Sequence, residues 1–196
     1  DALLMCNSHT PDCVPLYAAI YGGYTLTFGR YLFEPDLEDP LVFRAKMTKI
    51  FLWGAQLAWM DPDFILKETY AHDAAFLKQM AEVKARNYDF LTYGEIVPPP
   101  QLSDDIPVIR TAWQKNQPAV EVAAWRHVDE KQHALFFVNI TEAEVTASWT
   151  YPVQGNDQPQ VQEQDSGRLL PVKIEQNTIS GSITLPSLSV RVILIS

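Results

Sequence analysis

Tyr93-Gly-Glu-Ile-Val-Pro-Pro-Pro-Gln-Leu102 is the stretch on which the reading of the fold turns. Three consecutive prolines lack amide donors and hold φ near an extended value, so no helix crosses them. The composition changes on either side. Aromatic and helix-forming residues dominate before them; β-branched residues alternate with polar ones after them. The expected division falls near residue 103, with an α/β unit over 1–103 and an all-β unit over 104–196.

Working back from the prolines, Phe76, Leu77, Met80, Val83 and Leu91 recur at helical spacing. Lys78, Glu82 and Arg86 occupy the opposite side, which predicts an amphipathic helix over about residues 71–88. Asp61-Pro62-Asp63 reads as a turn. Leu52-Trp-Gly-Ala-Gln-Leu-Ala-Trp-Met60 fits a strand or more helix, and Gly54 and Ala55 permit close backbone approach. Asp39-Pro40 is a helix start, a capping carboxylate followed by proline at the first helical position. Residues 7–29, with Pro11, Pro15, Gly22, Gly23 and several tyrosines, read as one long loop. Ala2 to Cys6 suits a short buried parallel strand, entered as if midway through a longer protein.

Working forward, residues 119–127 and 134–140 flank the polar turn Asp129-Glu-Lys-Gln132 and form a hairpin. Val145, Ala147 and Trp149 alternate with Thr146, Ser148 and Thr150, the pattern of a half-buried strand. Residues 154–167 read as a loop, and strands are expected over 169–175, 178–185 and 189–195. Short strands separated by turn signals argue for an antiparallel β-sandwich.

The bulk composition narrows the function. The chain has 196 residues, 47% hydrophobic and 20% charged, with a net charge of -9. A phosphate-binding face needs clustered Lys and Arg, so nucleic acid is not an expected partner. No apolar run approaches the roughly 20 residues of a membrane helix. Cys6 and Cys13 bracket His9. They fit two partly buried thiols, a disulfide closing a short loop, or a metal site short of a full zinc shell; no metal or cofactor is expected.

Five segments carry a resemblance. Pro15-Leu-Tyr-Ala-Ala-Ile-Tyr-Gly-Gly-Tyr-Thr-Leu-Thr-Phe-Gly29 and Phe51-Leu-Trp-Gly-Ala-Gln-Leu-Ala-Trp59 resemble late-barrel segments of a bacterial glycoside-hydrolase-like family, most of it described only as a domain of unknown function. Tyr93 to Leu102 resembles the exit from its last barrel helix. Ala134-Leu-Phe-Phe-Val-Asn-Ile-Thr141 and Leu185-Pro-Ser-Leu-Ser-Val190 are similar to strands of the small β-domain behind many glycosidase barrels. The resemblance implies the C-terminal portion of a (β/α)8 (TIM) barrel followed by an antiparallel β-sandwich. It also implies a carbohydrate ligand. Hydrolysis by such barrels uses two carboxylates on strand ends, at least one of which would lie upstream, so this piece alone is expected to be inactive. Alternatives are a carbohydrate-binding or structural sandwich and a degenerate barrel without hydrolase activity.

Sugars present flat apolar faces and a hydroxyl rim, which aromatic and amide or carboxylate groups match. Tyr17, Tyr21, Trp53, Gln56, Trp59 and His9 are therefore the candidate sugar-binding residues, each with a plain packing or loop role as its alternative. Tyr24 lies in the same loop. Glu34, Asp36, Glu38 and Asp39 read mainly as a solvated run plus a helix cap, and Asp61 and Asp63 as turn residues. His72 suits a helix start, and His127 and His133 are expected to be exposed beside the hairpin turn. Asn139-Ile-Thr141 has the form of a glycosylation acceptor but falls in an expected strand. A carbohydrate-binding sandwich should expose a planar aromatic set, for which Trp113, Trp125, Trp149 and Tyr151 are the candidates; at least two of them are expected in the core, which favours a supporting role for the sandwich.

An incomplete barrel should leave Leu3, Met5, Ile50 and Leu52 without cover. The expected partner is then the remainder of the same protein or a second copy. The compartment stays open, periplasmic or secreted ahead of cytoplasmic.

Overall fold

The computed structural model describes residues 4–5, 14–29, 37–57, 62–129, 132–153 and 159–196. It mixes helices with antiparallel sheets. In the first half, strand β1 (Leu4–Met5) precedes helix α1 (Leu16–Tyr21) and strand β2 (Thr27–Phe28). Helix α2 (Pro40–Leu52), the short α3 (Pro62–Ile65), α4 (Ala71–Arg86) and α5 (Tyr88–Leu91) follow. β1 pairs with β2 in parallel, and Phe28 pairs in parallel with Gln56.

The expected start of α2 is present. Asp39 adopts extended dihedrals, its side chain accepts the Val42 N–H at 3.4 Å, and Pro40 opens the helix. α2 stops at Leu52 because Gly54 turns the chain at φ +71°, a conformation that disfavours a side chain. A Cβ there would also come within 2.9 Å of the Trp125 ring.

The second half forms a five-stranded and a four-stranded antiparallel sheet. β3 (Glu95–Val97), β7 (Val120–Arg126), β8 (His133–Asn139), β13 (Ser189–Ile195) and β10 (Val161–Glu163) lie in that spatial order. β4 (Gln101–Leu102), β9 (Val145–Pro152), β12 (Thr178–Leu185) and β11 (Lys173–Glu175) make the other sheet. β5 (Val108–Ile109) and β6 (Gln117–Pro118) form a small separate hairpin. Pro98–Pro100 carry the chain from β3 in one sheet to β4 in the other.

Burial explains the two strand patterns. β8 reads as the continuous apolar run Ala134-Leu-Phe-Phe-Val138 because both its faces are covered. Leu135 and Phe137 meet Ala147, Trp149, Ile179 and Ile183 of the four-stranded sheet. Ala134, Phe136 and Val138 point the other way, into a core with Phe43, Met47 and Phe51 of α2 and Phe76 and Met80 of α4. β9 alternates because its second face meets solvent. The five-stranded sheet is thus the middle layer.

Two side chains fasten the helices to that layer. Trp125 Nε1 donates to the Leu52 carbonyl at 2.9 Å. Arg44 on α2 donates to Asp73 on α4 at 2.6 Å, both about 4% exposed, and reaches Glu142 at 3.2 Å.

Several expectations need correction. Ile50 and Leu52 are 2% and 3% exposed, because the helix-facing side of the five-stranded sheet covers them within this chain. Leu3 lies outside the described residues, and of Met5 only the backbone is described. The expected loop over 7–29 contains α1 and β2, since Leu16-Tyr-Ala-Ala-Ile-Tyr21 can complete a turn and a half before Gly22-Gly23 stops it. The expected loop over 154–167 contains β10, whose polar sequence is held by pairing with β13. The expected strand over 169–175 shortens to β11, with Leu169 contributing a single bridge to Gln162. Asp61 lies outside the described residues, while Asp63 sits in α3.

Candidate functional site

A groove of about 510 Å3 opens where α1 meets β3 and the end of β7. Its walls are Ala18, Ile20 and Gly22 to Tyr24 on one side and Tyr93 to Glu95 with Arg126 to Val128 on the other. Antiparallel pairing sets Glu95 directly opposite Arg126, and their side chains form an ion pair. His127 Nδ1 lies 2.8 Å from Asp129 Oδ1, and its ring meets Phe90 edge-on at 4.9 Å. Tyr93 packs edge-on against Tyr88 at 5.1 Å, and the hydrogen bond with Tyr88 raises its phenol above the ordinary value.

Behind this rim, His133 Nδ1 lies 2.7 Å from Tyr151 Oη. Burial, helped by Arg126, holds His133 below the usual histidine value. Burial pushes the Tyr151 phenol up to about 12. Both shifts favour the neutral forms, an imidazole and a phenol that share this hydrogen bond. His127 and His133 are thus partly buried and engaged rather than exposed, because Phe90 of α5 packs against the first ring and Tyr151 of β9 against the second.

Chemically, the groove offers a guanidinium, a carboxylate, an imidazole and exposed phenols. Such groups bind a hydroxyl-rich ligand, with Tyr24 supplying an apolar face. Its lining holds one carboxylate, Glu95, already tied to Arg126. Acid and base catalysis across one glycosidic bond uses two. Among the described residues, no group of three His, Cys, Asp or Glu side chains could hold a metal, and no helix is long and apolar enough to cross a membrane.

The sequence-derived candidates separate into two places. Tyr17 and Tyr21 stack on each other at 5.8 Å along α1, both 46% exposed. Trp53 and Gln56 line a small 20 Å3 cavity with Ala18, Gly22 and Trp125. Trp53 is the C-terminal cap of α2 and packs against the helix-facing core. The Gln56 backbone continues the parallel ladder, donating to the Thr27 carbonyl at 2.8 Å. His9 and Trp59 lie outside the described residues, as do Cys6, Cys13, Glu34 and Asp36.

Glu95 and Arg126 escaped the sequence reading. Their juxtaposition comes from a strand pairing that joins residues on opposite sides of the three prolines. Of the four aromatics that a planar sugar platform would need, Trp125, Trp149 and Tyr151 are core residues, in line with the expectation that at least two are buried. Asn139 is fully buried: its amide donates to the Ala143 and Pro186 carbonyls and its oxygen accepts from Thr141, so the folded chain cannot offer it for glycosylation.

No family model matches the chain. A Monosiga brevicollis protein named "Putative glycoside hydrolase 22789" is 26% identical over 158 residues, covering 68% of this chain. A Bacteroides thetaiotaomicron protein named "Putative glycoside hydrolase" is 25% identical over 138 residues, covering 70% of this chain. The chain is glycoside-hydrolase-like in sequence. It spans 13% and 20% of the lengths of these two relatives. Among solved structures, a debranching enzyme from Nostoc punctiforme matches 86% of this chain and 35% of its own at 12% identity, with a TM-score of 0.46. A GH30 endoxylanase from Clostridium papyrosolvens matches 98% and 48% at 14% identity, with a TM-score of 0.44.

Proposed function

We propose that the chain is the C-terminal piece of a glycoside hydrolase, with residues 1–103 completing a (β/α)8 barrel and 104–196 forming a β-sandwich packed on it. The observation that carries this reading is the parallel ladder from β1 through β2 to Gln56, with α1 and α2 as the intervening crossovers. Parallel segments joined by helices are the building unit of that barrel. β3 and β4 then lie at the division and belong to the sheets. The similarity to proteins named as glycoside hydrolases supports the same reading.

Residues after strand ends face the substrate in such barrels. In the sequence, His9 follows β1, and Trp59 comes three residues after Gln56, the residue that pairs in parallel with Phe28. These three are proposed to contact sugar, with Trp53 shaping the wall behind Gln56. Tyr17 and Tyr21 lie beside exposed Leu16 and Ile20 on α1. In this reading they belong to a surface covered by the other barrel units or, in the isolated chain, by a second copy.

The test compares the full-length parent with residues 1–196 alone on a panel of nitrophenyl glycosides. The parent should release nitrophenol from at least one substrate while the isolated chain releases none. Release by the isolated chain, or an inert parent, contradicts the proposal. An inert parent that still binds oligosaccharide would instead favour the non-catalytic reading, which the Arg126-tied Glu95 in the groove also suits.

A further inference from the structure

The solvent face of the four-stranded sheet has an unusual composition. β9 and β12 are its central strands, and their outward positions meet in register as Thr146 with Thr184, Ser148 with Ser182, and Thr150 with Ser180. None of these positions carries a charge, although a fifth of the chain is charged. Solvent-facing surfaces ordinarily intersperse charged side chains that keep a protein soluble. Thr146 and Thr184 bond to each other at 3.1 Å. Among the described residues, no side-chain hydrogen bond engages the hydroxyls of Ser148, Thr150, Ser180 or Ser182.

These short side chains floor a trough of about 540 Å3. Gln101 to Ser103 form one bank, and Pro171 to Lys173 form the other. Trp149 contributes to the lining, its ring close to Gly181, where a Cβ would stand 2.9 Å from it. The volume lies within the roughly 300–1,000 Å3 typical of small-molecule sites. Lys173 is the one charged residue in the lining, so a phosphorylated or polyanionic ligand would meet no cluster of cations. Unpaired hydroxyls and a carboxamide above apolar patches fit a ligand that is neutral, hydroxyl-rich and partly apolar.

We propose that this trough is a second, non-catalytic saccharide-binding site for a neutral oligosaccharide, separate from the groove at α1. Its ligand class rests on the carbohydrate reading above; its location does not. It would hold a polysaccharide chain on the sandwich while the bond-cleaving site works elsewhere.

The experiment titrates the 196-residue chain with xylohexaose, cellohexaose and maltohexaose by isothermal calorimetry. Ser182→Arg fills the trough from an exposed position, and Ser148→Lys is an independent second variant should the first fail to fold, with circular dichroism melting as the check. Arg126→Ala perturbs the groove instead. Saturable binding of at least one hexasaccharide, weakened about tenfold or more by the trough variants and retained in Arg126→Ala, supports the site. Binding that survives both trough variants, or no saturable binding to any of the three, overturns it. Hydrolysis of a nitrophenyl glycoside by the full-length parent carrying Ser182→Arg should be unchanged, so loss of this site and failure of the hydrolase reading are distinguishable.

Discussion

Replacing Asp73 by alanine removes the partner of a cation that has no other good place to go. Arg44 Nε lies 2.6 Å from Asp73 Oδ1, with both side chains 5% exposed. The remaining partner, Glu142, is 3.2 Å away on a side chain that is 68% exposed. A solvated partner of that kind contributes about 0–1 kcal/mol. Stranding a buried charge costs about 3–5 kcal/mol. In a chain of this size that corresponds to roughly 6–20 °C in melting temperature. Urea unfolding followed by tryptophan fluorescence reads the difference. Glu142→Ala should lose no more than about 1 kcal/mol. The double variant Arg44→Met, Asp73→Leu should recover most of the loss, because removing both charges removes the desolvation penalty. An Asp73→Ala loss below about 1 kcal/mol, or a double variant worse than the single, would refute the claim that this pair is desolvated and fixes α2 to α4.

Three further outcomes follow from the same layer and the groove behind it. Lys84 donates to the Gly54 carbonyl at 2.6 Å, and burial pushes its pKa down from 10.5 to about 8. The unfolded chain therefore holds the extra proton between these values, so stability relative to Lys84→Met should rise with pH across that window, by up to about 3 kcal/mol; a flat or falling difference in urea midpoints refutes it. Gly54→Ala should destabilise by about 2 kcal/mol or more, since positive φ and the close Leu91 carbonyl and Trp125 ring oppose a Cβ; a melting temperature equal to wild type counts against the joint. His133, held below the usual value by burial, should titrate below an exposed histidine by NMR. Its contribution to stability should be lost as pH falls from 6.5 toward that lowered value, because the unfolded chain takes the proton first; a normal or raised titration midpoint contradicts the neutral pair with Tyr151.

The strands of the second half were legible because their burial is written as period. Val145 to Thr150 alternates where one face meets solvent, and Ala134 to Val138 is continuously apolar where both faces are covered. The cap at Asp39-Pro40 and the spacing of Phe76, Met80 and Val83 likewise fixed two helices through local chemistry. What the sequence hid depends on long-range pairing. β10 has a polar sequence and exists through its ladder with β13. The cover over Ile50 and Leu52 comes from strands that begin some seventy residues later, so local pattern could not supply it. The groove was half visible: Tyr24 and Gly22-Gly23 marked one wall, while Glu95 and Arg126 meet only through the β3–β7 register. The hydroxyl ladder of the trough was present as alternation, but its partner strand was needed to show that both rows are hydroxyls.

The most direct measurement is an experimental structure of the parent polypeptide. Among the described residues β1 pairs with β2 alone, leaving its second edge for comparison. The account predicts a further parallel strand on that edge, reached through a helix and continuing into a closed ring. An antiparallel neighbour there, or an edge left open to water, would contradict it.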